Sequence, residues 1–198
     1  AEDRHQPLDA DEGQNGLVAT GSNVISIPLE GLDQVQTVQA HDVLANDMQF
    51  ANKKVVVIGG GITGLETALY INRQGTNQVS VVDMLPEWPV DMLDMRYQNE
   101  ALLEVRHCND QGVALFYNNK VVKFADGKLF IESTKDGEVK ELPADVIVLS
   151  VGVKPNDALW QELLASGHPS VWKAGDAIAT GKINKAVLHG SKFGYSLN

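Results

Sequence analysis

The run Lys54-Val55-Val56-Val57-Ile58 is β-branched and has no polar alternation, the pattern of a parallel strand buried on both faces. Apolar positions at Ile62, Leu65, Leu69 and Ile71 then follow helical spacing, and Gly75 supplies a stop. Val79 to Asp83 forms a second apolar strand, so the three pieces make a strand, helix, strand unit of the kind that crosses over right-handedly in a parallel sheet. The spacing predicts a further helix over Met92 to His107 and a strand over Val113 to Tyr117. Three extended runs follow, Lys120 to Phe124, Lys128 to Ser133 and Glu138 to Leu142, joined at Asp126-Gly127 and Asp136-Gly137. Asp-Gly between alternating runs signals a tight hairpin in which both turn residues take positive φ. Val146 to Leu149 returns as a buried strand, Asp157 to Ser166 as a helix, Val171 to Ala174 as a strand and Lys182 to Leu197 as a closing helix.

Ahead of this pattern the chain is weaker in signal. Leu17 to Gly21 and Asn23 to Ile27 read as strands or strand ends, Val35 to Ala40 as an extended piece and His41 to Ala45 as a short helix. The first thirteen residues carry five acids and one arginine and read as a frayed lead-in. The fold class expected from these elements is α/β, a parallel sheet with an inserted antiparallel β-meander. The expected divisions are 1–50, 51–144 and 145–198.

Composition narrows the partners. The 198 residues are 43% hydrophobic and 21% charged, an ordinary globular balance, and a net charge of −10 disfavours nucleic acid and anionic membrane surfaces. No apolar stretch reaches the roughly 20 residues of a membrane span. One cysteine, Cys108, excludes an internal disulfide, a dithiol redox pair and a cysteine-held metal cluster within this sequence. That usage suits a cytoplasmic setting. Cys108 stands next to His107, so the two cannot face one site from a regular helix, and a structural or surface role is expected for both. His5, His41, His168 and His189 lack metal-ligand spacing, and Trp88, Trp160 and Trp172 share no period, which points to packing or loop residues rather than a stacking platform.

The chemistry concentrates after the first buried strand. Gly59-Gly60-Gly61-Ile62-Thr63-Gly64 has the spacing G-x-G-x-x-G, follows a strand, opens a helix and is followed 19 residues later by Asp83 at a strand end. Gly59 would allow the tight turn, Gly61 the close approach of a pyrophosphate and Gly64 close helix packing, with the helix N-terminus directed at the phosphates. Asp83 would accept hydrogen bonds from the adenosine ribose hydroxyls. A 2′-phosphate 4 Å away would meet a repulsion of about 4 kcal/mol per unit charge at an effective dielectric of 20. Met84, Leu85 and Pro86 offer no compensating cation, so NADH is expected over NADPH, with Arg96 the nearest residue able to reverse this. The bland readings are a glycine-rich turn with no ligand and a solvated strand-end acid.

The order Ala19-Thr20-Gly21, the glycine motif ending in Gly64-Leu65-Glu66, Ser150-Val151-Gly152 with Pro155-Asn156, and Gly175-Asp176-Ala177 resembles the second half of flavoproteins with two dinucleotide-binding domains. The ending from Gly175 through Thr180-Gly181-Lys182-Ile183-Asn184-Lys185-Ala186-Val187 to Gly190 is similar to that of dienoyl-CoA reductase and enoate reductase flavoenzymes. The resemblance implies that Gly59, Gly60, Gly61, Ile62, Thr63 and Gly64 line the NADH pyrophosphate site, Asp83 its ribose and Gly152 its adenine end. Glu66 would face the nicotinamide carboxamide, with an exposed helical acid as the alternative. Thr20, Gly21, Gly175 and Asp176 would lie on the FAD side, Asp176 at the ribityl chain or simply a turn acid. The fold the resemblance implies is a Rossmann-like parallel sheet with the inserted β-meander, plus an incomplete second dinucleotide-binding domain: 51–144 would be the NAD(H)-binding domain, and 1–50 and 145–198 parts of the FAD-binding domain.

What the resemblance implies for function is an NADH-dependent flavin oxidoreductase that passes hydride from NADH to FAD, toward reduction of an activated C=C bond. No residue is expected to act as a catalytic acid or base, and no metal site is expected in this chain. The FAD domain's own glycine-rich opening has no counterpart ahead of Ala19. The chain is therefore expected to be a segment whose partners are the other half of the FAD domain and a barrel carrying FMN and an iron-sulfur cluster. Such a segment should bind NADH weakly and be inactive alone. Two alternatives remain open: a segment of a thiol-dependent NADH oxidase or disulfide reductase, and a non-catalytic sensor of NAD(H).

Overall fold

A computed structural model describes residues 15–86, 95–168 and 170–196. The strands are β1 (Gly16–Val18), β2 (Ser22–Val24), β3 (Gln36–Gln39), β4 (Lys54–Ile58), β5 (Gln78–Val82), β6 (Ala114–Phe116), β7 (Asn119–Ala125), β8 (Lys128–Ser133), β9 (Val139–Pro143), β10 (Val146–Leu149), β11 (Val153–Pro155) and β12 (Val171–Lys173). The helices are α1 (Ala40–Ala45), α2 (Ile62–Asn72), α3 (Met95–Asp110), α4 (Ala158–Ala165) and α5 (Ile183–Ser196). The chain divides into two compact units, residues 26–152 and, separately, residues 1–25 with 153–198.

The unit 26–152 is built on a parallel five-stranded sheet in the order β3-β10-β4-β5-β6. Because side chains alternate along a strand, the unbroken apolar runs of β4 and β10 feed two cores at once. Val55, Val57, Val79, Val81, Val146 and Val148 point to one face, where Leu65, Ala68, Leu69 and Ile71 of α2, Val43 of α1, and Val105 and Cys108 of α3 cover them. Val56, Ile58, Val82, Ile147 and Leu149 face the other way, against Phe124, Leu129 and Ile131 of the antiparallel sheet β7-β8-β9. The meander is thus the third layer of a helix, sheet, sheet sandwich. Each fully buried Val, Ile or Leu in these layers contributes on the order of 1.5–3 kcal/mol.

Two sequence expectations change here. The divisions fall at 25/26 and 152/153, so the expected boundaries at 50/51 and 144/145 lie inside one unit. The reason is that β3 pairs in parallel with β10, from Gln36↔Val146 to Gln39↔Leu149, making both strands part of the central sheet. The hairpin at Asp126-Gly127 has both residues at positive φ, 52° and 72°, as expected. At Asp136-Gly137 only the glycine is left-handed, with φ 76°. There the Ser133 hydroxyl accepts from the Lys135 and Asp136 amides, and the connection spans Ser133 to Glu138. Hydrogen bonds to its carboxylate, from the Ser133 hydroxyl first and the Glu138 amide next, hold the Asp136 carboxyl below the usual range.

In the other unit, β1 pairs in parallel with β12, and β2 pairs antiparallel with β11, a strand the apolar pattern did not reveal. Trp160 donates to the Val171 carbonyl, while Trp172 meets Phe193 edge-on but stays 46% exposed. Expectations placed on the lead-in, His5, Trp88 and Met92 lie outside the described residues, as does the Arg96 side chain. Among the described residues no helix is long and apolar enough to cross a membrane, and no three His, Cys, Asp or Glu gather as metal ligands.

Candidate functional site

The site begins where β4 runs out. Gly59 has φ +106°, its amide donates to the Val82 carbonyl at 2.8 Å, and a Cβ there would stand 2.3 Å from the Ser150 carbonyl oxygen. A side chain is excluded twice, by backbone conformation and by space. Gly64 is restricted by packing instead, since its Cβ would fall 2.0 Å from the Gly59 carbonyl oxygen. Gly61 differs from both, because nothing lies within 4 Å of its would-be Cβ. The backbone therefore fixes Gly59 and Gly64 from within, while Gly61 borders open space. Gly61 is the N-cap of α2, and no side chain caps the first turn. The N–H groups of that turn suit an anion.

Asp83 stands beside this turn, just past the end of β5. Its Oδ2 accepts from the Gly60 amide at 2.6 Å and its Oδ1 from the Leu85 amide at 2.8 Å. Each carboxylate oxygen has a second lone pair, so the acid keeps capacity for two ligand hydroxyls. Its backbone amide donates to Phe116, while Asn119 and Asn118 donate to the Asp83 and Leu85 carbonyls, each at 2.9 Å. This laces the loop after β5 to the start of β7.

Together these elements enclose a cavity of about 540 Å³ lying wholly in the unit 26–152. Of the expected residues, Gly59, Gly61, Asp83 and Gly152 line it. Gly60, Ile62, Thr63, Gly64 and Glu66 do not: Gly60 is tied to Asp83, Gly64 is buried in the packing, and Glu66 is exposed on α2. The other lining residues were not expected as site residues from sequence, among them Ile27, Asn119, Lys120 and Val121. Lys120 matters most for charge. It is a cation in the cavity wall, where none had been expected, but its Nζ lies 2.9 Å from Glu132 Oε1 across the β7–β8 ladder. Met84 and Leu85 are 61% and 57% exposed, offering an apolar surface beyond Asp83.

A model of the pyridine nucleotide-disulphide oxidoreductase family matches residues 4–190. The chain belongs to this family. An NADH oxidase of Thermoanaerobacter brockii is 31% identical over 189 residues, which is 91% of this chain and 27% of that protein. A cinnamate reductase of Clostridium sporogenes is 30% identical over 154 residues, 74% of this chain and 21% of that protein. A 2-naphthoyl-CoA reductase structure superimposes with a TM-score of 0.74 at 24% identity, over 90% of this chain and 26% of that one, a likeness of fold. The chain thus spans about a quarter of the length of these relatives.

The residues expected on the FAD side lie in the unit of 1–25 and 153–198. The Thr20 hydroxyl donates to the Asn156 carbonyl, Gly21 takes φ +74°, and its carbonyl accepts from the Asn156 amide at 3.0 Å. Gly175 takes φ +61° after β12, and Asp176 accepts from the Gly181 amide at 3.0 Å and from the Ser22 hydroxyl at 3.3 Å. The structure therefore brings Ala19-Thr20-Gly21 next to Pro155-Asn156, and Asp176 next to Ser22. Cys108 is fully buried between α3 and α2, and burial pushes its thiol up to about 11, helped by the Glu104 carboxylate. A thiol so placed is a poor nucleophile near neutral pH.

Proposed function

We propose that this chain binds NADH in the cavity beside Asp83 and serves, within a flavin-dependent oxidoreductase, to present that cofactor to FAD for reduction of an activated C=C bond. The observation that carries the NADH part is the pairing of an unfilled Gly61 turn with a strand-end carboxylate whose two oxygens are already oriented by Gly60 and Leu85. The first-turn amides of α2 would hold the pyrophosphate and Asp83 the adenosine ribose, while Gly152 would line the adenine end. NADH and FAD supply the hydride chemistry when bound. The chain's own residues orient the nucleotide and need supply no acid or base. Membership in a family of pyridine nucleotide oxidoreductases supports the coarser reading, and the relative described as a cinnamate reductase supports the finer one.

Asp176 fits the proposed FAD role in part, because each of its oxygens keeps a lone pair for a ribityl hydroxyl. Glu66 stays a candidate for the nicotinamide carboxamide through its position two residues after Gly64. FMN and an iron-sulfur cluster, if the whole protein uses them, would be held by residues other than these. Ile183, Val187, Leu188 and Tyr195 of α5 are 51–84% exposed, which supports a further part of an FAD domain as the partner of this helix.

Calorimetric titration of the purified chain with NADH and NADPH tests the reading. NADH should bind, and more tightly than NADPH. Absence of NADH binding, or a preference for NADPH, overturns it, and tightly retained FAD would contradict a partial flavin site. The family description favours one second reading, a disulfide-reducing flavoprotein. Its thiol chemistry would need cysteines other than the buried Cys108.

A further inference from the structure

Three peptide bonds of this chain join an Asn or Asp to a following glycine: Asn15-Gly16, Asp126-Gly127 and Asp136-Gly137. Glycine has no Cβ to shield its nitrogen, so at such a bond the amide nitrogen can approach and attack the preceding side-chain carbonyl. The structure treats the three differently. At Asn15-Gly16 the Gly16 amide donates to the Ser170 carbonyl at 2.8 Å, and the Asn15 side-chain oxygen accepts from the Ser170 hydroxyl at 2.6 Å. At Asp136-Gly137 the Gly137 amide donates to the Ser133 carbonyl at 2.9 Å, and the carboxylate accepts from the Glu138 amide at 3.1 Å. Both reacting groups are thus engaged at each of these sites.

Asp126-Gly127 is the exception. The turn is closed by the pairing of Ala125 with Lys128, and neither the Gly127 amide nor the Asp126 carboxylate makes a hydrogen bond among the described residues. Asp126 and Gly127 are both exposed, and nothing lies within 4 Å of a Cβ placed on Gly127. The neighbouring Lys128 ammonium is taken by Glu141. We propose that Asp126 is a site of spontaneous isoaspartate formation in the folded chain, with water as the only co-reactant. The Gly127 nitrogen bonds to Asp126 Cγ, and the carboxyl OH leaves with the amide proton as water, giving a cyclic succinimide. Water then adds across one of the two ring C–N bonds. Opening at Cγ restores aspartate, and opening at the backbone carbonyl carbon gives isoaspartate, in which the chain runs through Cγ. No atom is oxidised or reduced. The carboxyl reacts in its protonated form, so the lowered Asp136 carboxyl is held back a second time. The isomer lengthens the turn by one backbone atom, and the 3.0 Å bond from the Ala144 amide to the Gly127 carbonyl must adjust to it.

The experiment keeps the intact chain for weeks in weakly acidic buffer, beside a sample unfolded in urea. Peptides spanning each Asp-Gly turn are then analysed by electron-transfer fragmentation, which separates isoaspartate from aspartate. In the native chain isoaspartate should build up at Asp126 about tenfold or more faster than at Asp136, where hydrogen bonds to a charged group must break first. In urea the two rates should converge. Comparable native rates, a faster Asp136, or no isoaspartate at Asp126 in the native chain each overturn the proposal. Asp126→Asn gives a second readout, because the same attack then releases ammonia. A folded variant that keeps its side-chain amide, while the urea-unfolded one loses it, also overturns the proposal. The native comparison needs no variant, so a variant that fails to fold does not remove the test.

Discussion

The carboxylate of Asp83 accepts a 2.6 Å hydrogen bond from the backbone amide of Gly60, joining the acid after β5 to the glycine turn after β4. The turn and the acid are therefore one preformed unit, and removing the carboxylate should disturb both. Asp83→Ala leaves the Gly60 and Leu85 amides without their acceptor and removes the negative charge that opposes a 2′-phosphate. NADH affinity should fall by about tenfold or more, and NADPH affinity should fall less or rise. Parallel titrations give the ratio, and an unchanged ratio would remove Asp83 from its role in nucleotide choice.

Lys120 and Glu132 carry the opposite side of that balance. At 2.9 Å the glutamate neutralises the one lysine of the cavity wall. Glu132→Gln should release that charge and improve NADPH binding by about two- to fivefold at low salt, in keeping with the modest strength of exposed ion pairs. Because the pair is partly exposed, the gain should fade as ionic strength rises. Titration at two salt concentrations checks both statements. Loss of NADPH binding in this variant would show that Lys120 does not face the ligand.

The glycines separate folding from binding. Gly61→Ala meets nothing within 4 Å, so the protein should fold with a near wild-type Tm while NADH affinity falls steeply, because the new methyl occupies the open side of the turn. Gly64→Ala puts a methyl 2.0 Å from the Gly59 carbonyl oxygen, where α2 or the turn must shift. That substitution should cost about 3 kcal/mol of stability, at the upper end of overpacking effects. Thermal denaturation paired with a binding assay distinguishes the two. A strongly lowered Tm for Gly61→Ala would contradict the open space seen beside it.

The legible part of the site was its local part. Gly59 to Gly64 and Asp83 lie within one strand, helix, strand unit, where spacing alone constrains geometry. Asn119 and Lys120 come 36 and 37 residues after Asp83, and they reach the cavity because β6 pairs with β5 and the chain then turns into β7. No periodicity encodes such a juxtaposition. Unit boundaries escaped for a related reason: Gln36-Thr37-Val38-Gln39 looks too polar for a central-sheet strand, yet it forms the sheet's edge beside β10. The second Asp-Gly turn escaped because Ser133, three residues upstream of Asp136, takes over the turn amides. The twofold-buried strands β4 and β10, by contrast, announced themselves by composition, since a strand with core on both faces can carry no polar alternation.

Cys108 gives a pH prediction whose sign follows from its burial. In the fold the thiol is raised to about 11, by desolvation first and the Glu104 carboxylate second, against 9.0 for an unperturbed thiol. Between these values the unfolded chain ionises its thiol and the folded chain does not, so the folded state holds the extra proton. The contribution is fully present below about pH 9 and is lost as pH rises toward 11, at up to about 1.4 kcal/mol per pH unit. Cys108→Ala removes this ionisation and leaves a small cavity between α2 and α3. The variant should be less stable than the wild type at pH 7, and its stability should decline less steeply from pH 9 to 11. Urea denaturation across that range compares the two slopes. Parallel slopes would mean that the thiolate is accommodated in the fold, and rapid modification of the native thiol at pH 8 by a water-soluble reagent would point the same way.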